Sequence, residues 1–507
     1  MMNSPLYSAA MTSEVDRRAR VHLLRRDRQE DVCFALWYPS AGSRRNTALI
    51  HKLILPEPGD RLVHGNASFQ PQYFERALAE AAKVGAGLAL LHSHPFGKGW
   101  QDMSSDDVAA EEGHAGATFG ATGQPLVGLT LAGDSAWSAR FWIRSAPRTY
   151  VRQGCGSVRV VGQQLSVTYM DALIPPPRST EEQIRTVSAW GEAVQADMTR
   201  LRVGVVGAGS VGGIVAESLA RSGFTDVVLI DFDEIKRHNL DRLIYAKRSD
   251  VGQLKVDVLR DRMLACGTAE EISVRAVPTA VYEDEGFRAA LDCDILFSCV
   301  DRPWGRHVLN FVAYAHLIPV VDGGIAVRTN RSGMLAAADW RAHTVAPGRP
   351  CLQCLGQYSS GFVQTEREGM LDDPTYIDGL PKDHVLKASE NVFAFSTACA
   401  SLQVLQMIAM VVAPLGHANP GAQLYHFVGG FMEPPRFAGC HDECSFPGLS
   451  GRGDASGISV TGRRVVQPPI AGENAPFSDL PSPRRSGVLS TIKQFIRDIT
   501  KACFGLR

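Results

Sequence analysis

Between about residues 181 and 440 the chain alternates apolar runs of strand length with stretches of helical character. Four runs have the composition of buried parallel strands: LRVGVVGAG, DVVLIDFD, DILFSCVD and IPVVDGG. Parallel neighbours need a crossover connection, and the intervening helical stretches supply one each time. The alternation therefore predicts βαβ units on a mostly parallel, doubly wound sheet over residues 181–445.

The remaining chain differs in texture from this region. With 507 residues, the protein has room for about three folding units. Residues 15–170 mix short β-like runs with polar loops, which predicts an α+β domain, and Pro175–Pro177 interrupt the pattern after it. Residues 446–485 are rich in Gly, Ser, Pro and Arg, which predicts a disordered linker. Residues 486–507 regain a helical period that predicts an amphipathic tail, with these residues on one face: Val488, Ile492, Phe495, Ile496, Ile499 and Cys503.

Charge and composition exclude several classes of protein. Fifty-two basic residues face 53 acidic ones, so no global charge excess favours nucleic acid. We find no uninterrupted apolar run of 18 residues, which argues against a membrane span. The first twenty residues lack a basic region followed by an apolar one, so we do not expect secretion. The eleven cysteines are scattered apart from two close pairs, which favours metal binding or free thiols in a reducing cytoplasm.

A glycine motif marks the start of the doubly wound region. Gly207, Gly209 and Gly212 follow the strand-like run LRVGVV and open a helical stretch. Glycines there allow a tight turn and close approach to phosphate, and the helix N-terminus supplies N–H donors. Asp231 ends the next strand, where a carboxylate can hold ribose hydroxyls. These features alone favour a nicotinamide dehydrogenase, and a purely structural glycine turn is the alternative.

The residues that follow Asp231 change this interpretation. Asp233, Asn239, Arg242 and Lys255 come next along the chain. Hydride transfer has little use for such a group, whereas cations can neutralise and orient a triphosphate. A later strand ends at Asp301, with Arg306 one helical turn beyond, and ligands collect at the carboxyl ends of strands in open α/β sheets. Asp301 is therefore a candidate magnesium ligand.

Residues 181–445 resemble the Rossmann-like adenylyltransferases ThiF and MoeB and the ubiquitin-activating enzymes. The resemblance rests on the glycine loop, the Asp-x-Asp pair, the Asn-Leu-x-Arg box, the later lysine and the final aspartate with its arginine. It implies a homodimeric enzyme that uses MgATP to adenylate the C-terminal carboxylate of a ubiquitin-like, β-grasp protein. Adenylation converts a poor electrophile into an activated one. The implied roles are ribose binding by Asp231, phosphate binding by Asn239, Arg242 and Lys255, and magnesium binding by Asp301.

One further role comes from the same resemblance. Relatives carry an arginine before the glycine loop that reaches into the partner subunit's site. Arg185 occupies the comparable place here, with a solvated surface arginine as the alternative.

Two cysteine pairs predict a structural metal site. Cys351 and Cys354 form a Cys-x-x-Cys pair, and Cys440 and Cys444 follow some ninety residues later. Four thiolates make a closed tetrahedral Zn²⁺ site without an open catalytic position. The second pair has three intervening residues where relatives usually have two, and four unligated thiols are the alternative.

The sequence argues against an internal thioester. Many activating enzymes carry a nucleophilic cysteine in the crossover loop, but residues 356–389 contain none. Cys399 lies in an apolar helical stretch, and a buried thiol is a poor nucleophile. Three other cysteines also suggest packed positions: Cys266, Cys293 and Cys299. Direct transfer from the adenylate to the thiol of a conjugating enzyme is then the expected route.

A second chemical motif lies in residues 15–170. His92 and His94 alternate at the end of a β-like run, so they point to the same side, and Ser104 and Asp107 follow a glycine-containing loop. Two histidines and one carboxylate supply three ligands to a catalytic zinc, with water in the fourth position.

The motif resembles the JAMM (MPN) metalloproteases. The resemblance implies zinc binding by His92, His94 and Asp107, oxyanion support by Ser104 and a general base at Glu30, with Asp31 as the second choice. The gap from His94 to Ser104 is two residues longer than the family's usual one. A degenerate module kept for binding is the alternative.

Together the two motifs predict a bifunctional enzyme of a bacterial ubiquitin-like modification pathway. One module would activate the carboxyl terminus of the carrier, and the other would process or remove the carrier. The expected cofactors are ATP, Mg²⁺ and two Zn²⁺, one catalytic and one structural. The alternatives are sulfur-carrier activation for thiocarboxylate formation, a scaffold without catalysis and, more remotely, an oxidoreductase.

Overall fold

The N-terminal region is built on a single mixed β-sheet with nine strands. The computed structural model describes residues 6–64, 66–330, 332–372, 378, 390–433 and 439–460. The sheet contains β1 (Leu6–Thr12), β2 (Val32–Ala41), β3 (Arg45–Ile54), β6 (Gly87–His94), β7 (Leu126–Ala132), β8 (Trp137–Ala146), β9 (Thr149–Gly154), β10 (Ser157–Val161) and β11 (Leu165–Tyr169). Its order is β11-β10-β1-β3-β2-β6-β7-β8-β9, and β4 (Arg61–His64) pairs with β5 (Asn66–Phe69) separately.

Three helices pack against this sheet. They are α1 (Ser13–Leu23), α2 (Pro71–Val84) and α3 (Ser105–Thr122). The Thr12 hydroxyl caps α1 by accepting from the amide of Val15 at 3.2 Å. Gly85 ends α2 in the left-handed region, with φ of 66°. Val15, Ala19 and Leu23 form the buried side of α1 and join the core of the sheet.

The second region forms an eight-stranded sheet. Its strands are β12 (Arg202–Val206), β13 (Asp226–Ile230), β14 (Ser273–Val277), β15 (Ile295–Ser298), β16 (Val320–Thr329), β17 (Leu335–Val345), β18 (Gln423–His426) and β19 (Phe431–Glu433). The order is β14-β13-β12-β15-β16-β17-β18-β19. The first five strands run parallel, and β17 to β19 extend the sheet antiparallel. The prediction of a Rossmann-like, mostly parallel α/β sheet is confirmed, because the four quoted runs supply β12, β13, β15 and β16.

Helices cover both faces of this sheet. They are α4 (Ile184–Trp190), α5 (Glu192–Thr199), α6 (Ser210–Arg221), α7 (Lys255–Cys266), α8 (Asp284–Leu291), α9 (Pro303–Ala315), α10 (Ser360–Arg367) and α11 (Phe393–Val412). In the described chain, α11 alone is long and apolar enough to cross a membrane. It also packs as a core helix, since Gln403 donates to the carbonyl oxygens of Ser298 and Val321 at 3.1 and 2.9 Å.

The two sheets are joined by buried charges. Asp294, just before β15, accepts from Arg45 at 2.5 Å and from Arg159 at 2.9 Å, and both arginines belong to the N-terminal sheet. Its other oxygen accepts from the amide of Arg202 at 2.9 Å. Leu49 and Val161 also share a hydrophobic core with the strands of the second sheet. The two regions therefore form one packed body.

Residues 446–460 differ from the linker that the sequence predicts at 446–485. Phe446 is buried, and the Asp454 carboxylate accepts from the amide of Ala41 at 2.8 Å and from Arg288 at 3.1 Å. The Ser450 carbonyl accepts from His51 at 3.0 Å. We call residues 446–456 the strap, because they cross from the second sheet to β2. Composition alone did not reveal these long-range contacts, and the rest of the linker and the helical tail at 486–507 lie outside the described residues.

Candidate nucleotide and metal sites

A crevice opens where the order of the parallel strands reverses. β12 lies between β13 and β15, so the chain leaves β12 in one direction and later returns on its other side. The glycine loop follows the carboxyl end of β12, and Asp301 follows that of β15. Ligands bind at such switch points in open α/β sheets.

Glycines shape the loop in this crevice. Gly207 has φ of 96°, and a Cβ there would lie 2.6 Å from the carbonyl oxygen of Cys299. A Cβ on Gly212 would collide with the carbonyl oxygen of Gly207. A Cβ on Gly209 would meet only open space, which leaves the side facing the crevice free for a phosphate group.

Asp231 fixes the backbone at the base of the crevice. One carboxylate oxygen accepts from the amide of Ala208 in the glycine loop, and the other accepts from the amide of Asp233, both at 2.7 Å. Burial raises the pKa of Asp231, partly offset by the charge of Lys255. The structure thus uses Asp231 to fix the loop, and each oxygen retains lone-pair capacity for a ribose hydroxyl.

The predicted phosphate-binding residues are paired within the protein. Lys255 Nζ lies 2.7 Å from Asp233 Oδ2. The Arg242 guanidinium donates to the carbonyl of His238 at 2.8 Å. The Asn239 side-chain oxygen accepts from the amide of Lys236 at 2.9 Å. These side chains are held near the loop, because the Ser210 hydroxyl donates to the Arg242 carbonyl at 3.0 Å.

Asp301 differs from these residues. It is exposed and has no hydrogen bond or ion pair within the described chain. A free carboxylate that follows β15, the strand paired with the one that leads into the glycine loop, suits a hydrated Mg²⁺.

Arg306 lies on α9 and turns towards Asp322 instead of solvent. Its Nε lies 3.5 Å from Asp322 Oδ1, and Arg341 lies 2.6 Å from the other oxygen. Asp322 is fully buried and accepts from the Ser298 hydroxyl at 2.6 Å. The sequence analysis missed Asp322, which lies within β16 at the last position that pairs with β15.

Arg185 lies outside this crevice in the single chain. It is exposed on α4 and forms no ion pair with a described residue. Its proposed reach into a partner subunit stays a prediction.

The second cluster lies at one end of the N-terminal sheet. His92 and His94 end β6, and Asp107 lies in the first turn of α3. The Nε2 atoms of His92 and His94 lie 3.6 and 3.4 Å from the two Asp107 oxygens. One ligand atom from each residue lies within 4.8 Å of the others, a set that fits a zinc ion with an open fourth position.

The charges of this cluster suit metal binding. Burial, reinforced by Arg140, lowers the pKa of His92 to about 3, which keeps its imidazole neutral. The hydrogen bond to Asp107 raises the pKa of His94. Although burial opposes it, hydrogen bonds and charge from the histidines and Ser104 lower the pKa of Asp107 and keep it ionised.

The two carboxylates considered as a general base have different surroundings. Burial raises the pKa of Glu30, while the charge of His94 lowers it and the charge of Asp107 raises it. Asp31 is fully buried and accepts from Arg61 and from the amide of Val32, both at 2.8 Å. Asp31 is therefore a structural ion-pair partner, and the second choice for the base is wrong.

Ser104 has a role that the sequence analysis did not assign. Its hydroxyl accepts from the amide of Asp107 at 3.1 Å, and the Asp107 carboxylate accepts from the Ser104 amide at 2.9 Å. This capping box fixes the start of α3 and with it the metal-facing carboxylate. Oxyanion support by the same hydroxyl stays a prediction.

The four paired cysteines converge near α9. Their sulfurs lie within 4.8 Å of one another, and Cys351 Sγ lies 3.7 Å from Cys444 Sγ. Zinc–sulfur bonds of about 2.3 Å place tetrahedral sulfurs roughly 3.8 Å apart, so this spacing fits zinc. Hydrogen bonds, first from Cys351, lower the pKa of Cys440 to about 5. The extra residue between Cys440 and Cys444 does not separate the two sulfurs from the cluster.

The thiols near the crevice are not exposed nucleophiles. Cys399 is fully buried on α11, and burial raises its pKa to about 12. Burial also raises the pKa of Cys299, which contacts the floor of the glycine loop. Both observations agree with the packed positions that the sequence predicts.

The fold and this crevice define a Rossmann-like α/β protein with a phosphate-binding glycine loop. The ThiF family model matches residues 180–444, which is more than half of the chain. The chain belongs to the ThiF family.

Two curated relatives are similar within this region. Molybdopterin-synthase adenylyltransferase of Escherichia coli (strain K12) is 30% identical over 158 residues, 31% of this chain and 59% of that protein. SAMP-activating enzyme E1 of Haloferax volcanii is 28% identical over 165 residues, 32% of this chain and 57% of that protein. The chain thus spans less than two thirds of the length of these relatives.

Solved structures also align with the second region. E. coli MccB, crystallised with ATP, is 18% identical, with a TM-score of 0.40 over 53% of this chain and 74% of that one.

Proposed function

We propose that residues 181–445 adenylate the C-terminal carboxylate of a ubiquitin-like carrier protein. The observation that carries this proposal is the convergence of the glycine loop, the Lys255–Asp233 pair and the unpaired Asp301 at one switch point. Membership of the ThiF family and the adenylyltransferase and activating-enzyme names of the relatives support it.

The residues of the crevice have distinct tasks in this reaction. The glycine loop and the start of α6 bind phosphate oxygens, and Asp231 accepts from the ribose hydroxyls. Lys255 and Arg242 exchange their internal partners for the triphosphate and screen its repulsion with the attacking carboxylate. Asp301 would hold Mg²⁺, which supplies further charge neutralisation. The carrier's carboxylate oxygen attacks the α-phosphorus, and pyrophosphate leaves.

Exchange of labelled pyrophosphate into ATP tests this reaction. We expect exchange only when a β-grasp protein with a free C-terminal glycine is present, because the reverse reaction requires the acyl adenylate. The same protein with a C-terminal carboxamide is the matched control and supports no exchange. Exchange that is equally fast without any carrier would contradict the proposal.

We also propose that the N-terminal module is a zinc peptidase. It would hydrolyse the amide bond between the carrier's last residue and whatever is attached to that residue's carboxyl group. His92, His94 and Asp107 would hold the zinc, which supplies a water of lowered pKa. Glu30 accepts the proton from that water and delivers it to the leaving amine. The supporting observation is the grouping of three ligand atoms beside a half-buried carboxyl.

The Glu30→Gln variant tests this peptidase. We expect the release of a peptide fused after the carrier's C-terminus to fall by at least a hundredfold, because the proton acceptor is lost. Zinc content, measured by atomic absorption, should stay at the wild-type level. His94→Ala is the comparison variant and should lose one zinc per chain. Loss of zinc from Glu30→Gln would make Glu30 a ligand and contradict its assigned role.

The acceptor of the activated carrier defines the pathway. We propose transfer to the thiol of a conjugating enzyme, because Cys399 is buried and the pKa values of the Cys399 and Cys299 thiols are raised by burial. A second candidate is sulfur transfer to the carrier, because a further relative, 28% identical over 169 residues, is named adenylyltransferase and sulfurtransferase MOCS3 of Caenorhabditis briggsae. Mass spectrometry of the carrier separates the two, since a thiocarboxylate adds the mass difference between sulfur and oxygen and a thioester joins two proteins.

A further inference from the structure

Besides its buried side, helix α1 has a row of side chains that lies at the surface of the protein. Arg17, Arg20, Val21 and Leu24 lie at spacings of three and four residues, which places them along one side of the helix and its end. They line a depression of about 420 Å³. Val21 is 75% exposed, although its neighbours Val15, Ala19 and Leu23 form the buried side. We call these four residues the α1 stripe.

The α1 stripe is connected to the peptidase cluster by hydrogen bonds. Ser93, between the two metal-facing histidines, donates its hydroxyl to the Leu23 carbonyl at 2.8 Å. The same hydroxyl accepts from the Asp31 amide at 3.1 Å. The end of α1, the segment that carries Glu30 and the end of β6 are therefore fixed to one another.

An exposed aromatic side chain follows the metal-facing histidines. Phe96 follows two residues after His94 and is 75% exposed. The Arg28 guanidinium lies 5.9 Å from the centre of its ring, and Arg28 adopts φ of 57°, which is rare for a residue with a side chain. A strained backbone two residues from Glu30 holds this cation beside the ring.

The surface carries an excess of positive charge. Residues 13–28 contain six arginines and three carboxylates, an excess of three positive charges, whereas the whole chain has a net charge of −1. Glu14 pairs with Arg17, and Asp16 lies 3.5 Å from Arg20. Arg18, Arg26 and Arg28 are exposed and have no ion-pair partner within the described residues.

We propose that the α1 stripe and Phe96 dock the folded body of the carrier whose C-terminal bond the cluster cuts, through an apolar patch with acidic residues on the carrier. This inference rests on the proposed peptidase function. The apolar side chains provide contact area. The arginines of the stripe, together with the unpaired Arg26 and Arg28 beyond its C-terminal end, select a partner of opposite charge. Because Ser93 fixes the stripe to the cluster, docking places the carrier's tail beside His94 and Glu30.

Two substrates with the same scissile bond test this docking surface. One is the carrier that supports pyrophosphate exchange, extended at its C-terminus by a fluorescent reporter peptide. The other is a peptide of the carrier's last eight residues with the same reporter. For Val21→Asp and Arg20→Glu we expect KM for the protein substrate to rise at least tenfold with kcat unchanged. Cleavage of the peptide should stay at the wild-type rate, because the peptide does not reach the stripe.

Arg18→Glu is the matched control, because it makes the same charge change on α1 outside the stripe. We expect its KM for the protein substrate to stay within twofold of wild type. Unchanged KM in the stripe variants, or an equal loss with both substrates, would overturn the inference.

Calorimetry with the carrier alone separates docking from catalysis. Binding that Val21→Asp weakens tenfold supports the surface even if neither substrate is cut, and in that case only the peptidase proposal fails. An absence of binding to the wild-type chain overturns the surface. A third outcome, binding to phosphatidylglycerol vesicles that the stripe variants lose while carrier binding persists, would make this a membrane-facing surface and also overturn it.

Discussion

Most charged side chains of the nucleotide crevice are held by partners within the protein. Lys255 is paired with Asp233, and Arg306 faces the buried Asp322. Such pairs hold the cations in place when no ligand is bound. The oxygens of a triphosphate can then replace the internal partners, because they accept strong, charge-assisted hydrogen bonds from Lys and Arg. Within the described chain, Asp301 has no such partner, so it is the carboxylate most available for a cation.

The Asp301→Asn variant should lose adenylation without losing the fold. We expect carrier-dependent pyrophosphate exchange to fall by about two to three orders of magnitude, because a preorganised charge in such a site contributes roughly 3–4 kcal/mol. Reporter release by the peptidase module should not change. Asp284→Asn, an exposed carboxylate on α8, is the control. Equal loss of both activities would contradict the separation of the two sites.

Sequence patterns identified the residues that have local signatures and missed those that depend on packing. Glycine and histidine motifs predict chemistry because their spacing alone brings the groups together, as at His92 and His94. The burial of Asp31 with Arg61 and the burial of Asp322 depend on segments far apart in sequence. No local pattern distinguishes such a buried carboxylate from a catalytic one.

At the scale of elements, the antiparallel extension depends on a histidine bridge. His426 on β18 lies 2.9 Å from Asp339 on β17 and 3.1 Å from Glu433 on β19. Burial lowers the pKa of His426, but hydrogen bonds to Glu433 and Asp339 outweigh burial and raise it. The protonated ring therefore joins three strands.

This bridge should make the β18–β19 hairpin sensitive to pH. A raised folded-state pKa means that the stabilisation is complete below the ordinary histidine pKa of about 6.5 and is lost as pH rises through the folded value. We expect amide hydrogen exchange in residues 423–433, corrected for its intrinsic rate, to be faster at pH 9 than at pH 6. His426→Gln should remove this difference. Equal protection at both pH values in the wild type would contradict the bridge.

The strap should be an equally local source of stability. Asp454→Ala removes the acceptor of the Ala41 amide and the partner of Arg288. We expect the Ala41 amide to exchange about tenfold faster, which corresponds to roughly 1.4 kcal/mol for a charged hydrogen bond. Asp284→Ala, which removes the other carboxylate near Arg288, is the control. Unchanged exchange at Ala41 would show that the strap does not hold β2.

At the scale of the whole molecule, the two candidate sites face away from each other. The peptidase cluster lies beside Val32, which pairs with His92, whereas Ala41 at the other end of β2 contacts Arg288. Ten residues of strand span roughly 30 Å. In the second sheet, Asp294 just before β15 contacts Arg45 and Arg159 of the N-terminal region, and the glycine loop lies at the opposite, carboxyl ends of the strands. We therefore expect a carrier tail bound at one proposed site to be out of reach of the other site on the same chain.

The two reactions should consequently exchange their carrier through solution. An equimolar mixture of the Glu30→Gln and Asp301→Asn variants contains both kinds of intact site, but on different chains. We expect this mixture to convert an extended carrier into its adenylate as fast as wild type at the same concentration of each intact site. The carrier's conversion can be followed by mass spectrometry. A lag in the mixture that is absent from wild type would show direct transfer and contradict this geometry.

The contacts that join the two sheets have a consequence for how far the two regions can be separated. Asp294 of the second region forms ion pairs with Arg45 and Arg159 of the N-terminal region, and the strap returns from the second region to β2. Producing the two regions as separate chains, divided at the prolines around residue 176, would leave each with unpaired charges and an exposed apolar surface. We therefore expect a substitution that weakens the contacts between the two sheets to lower both proposed activities together.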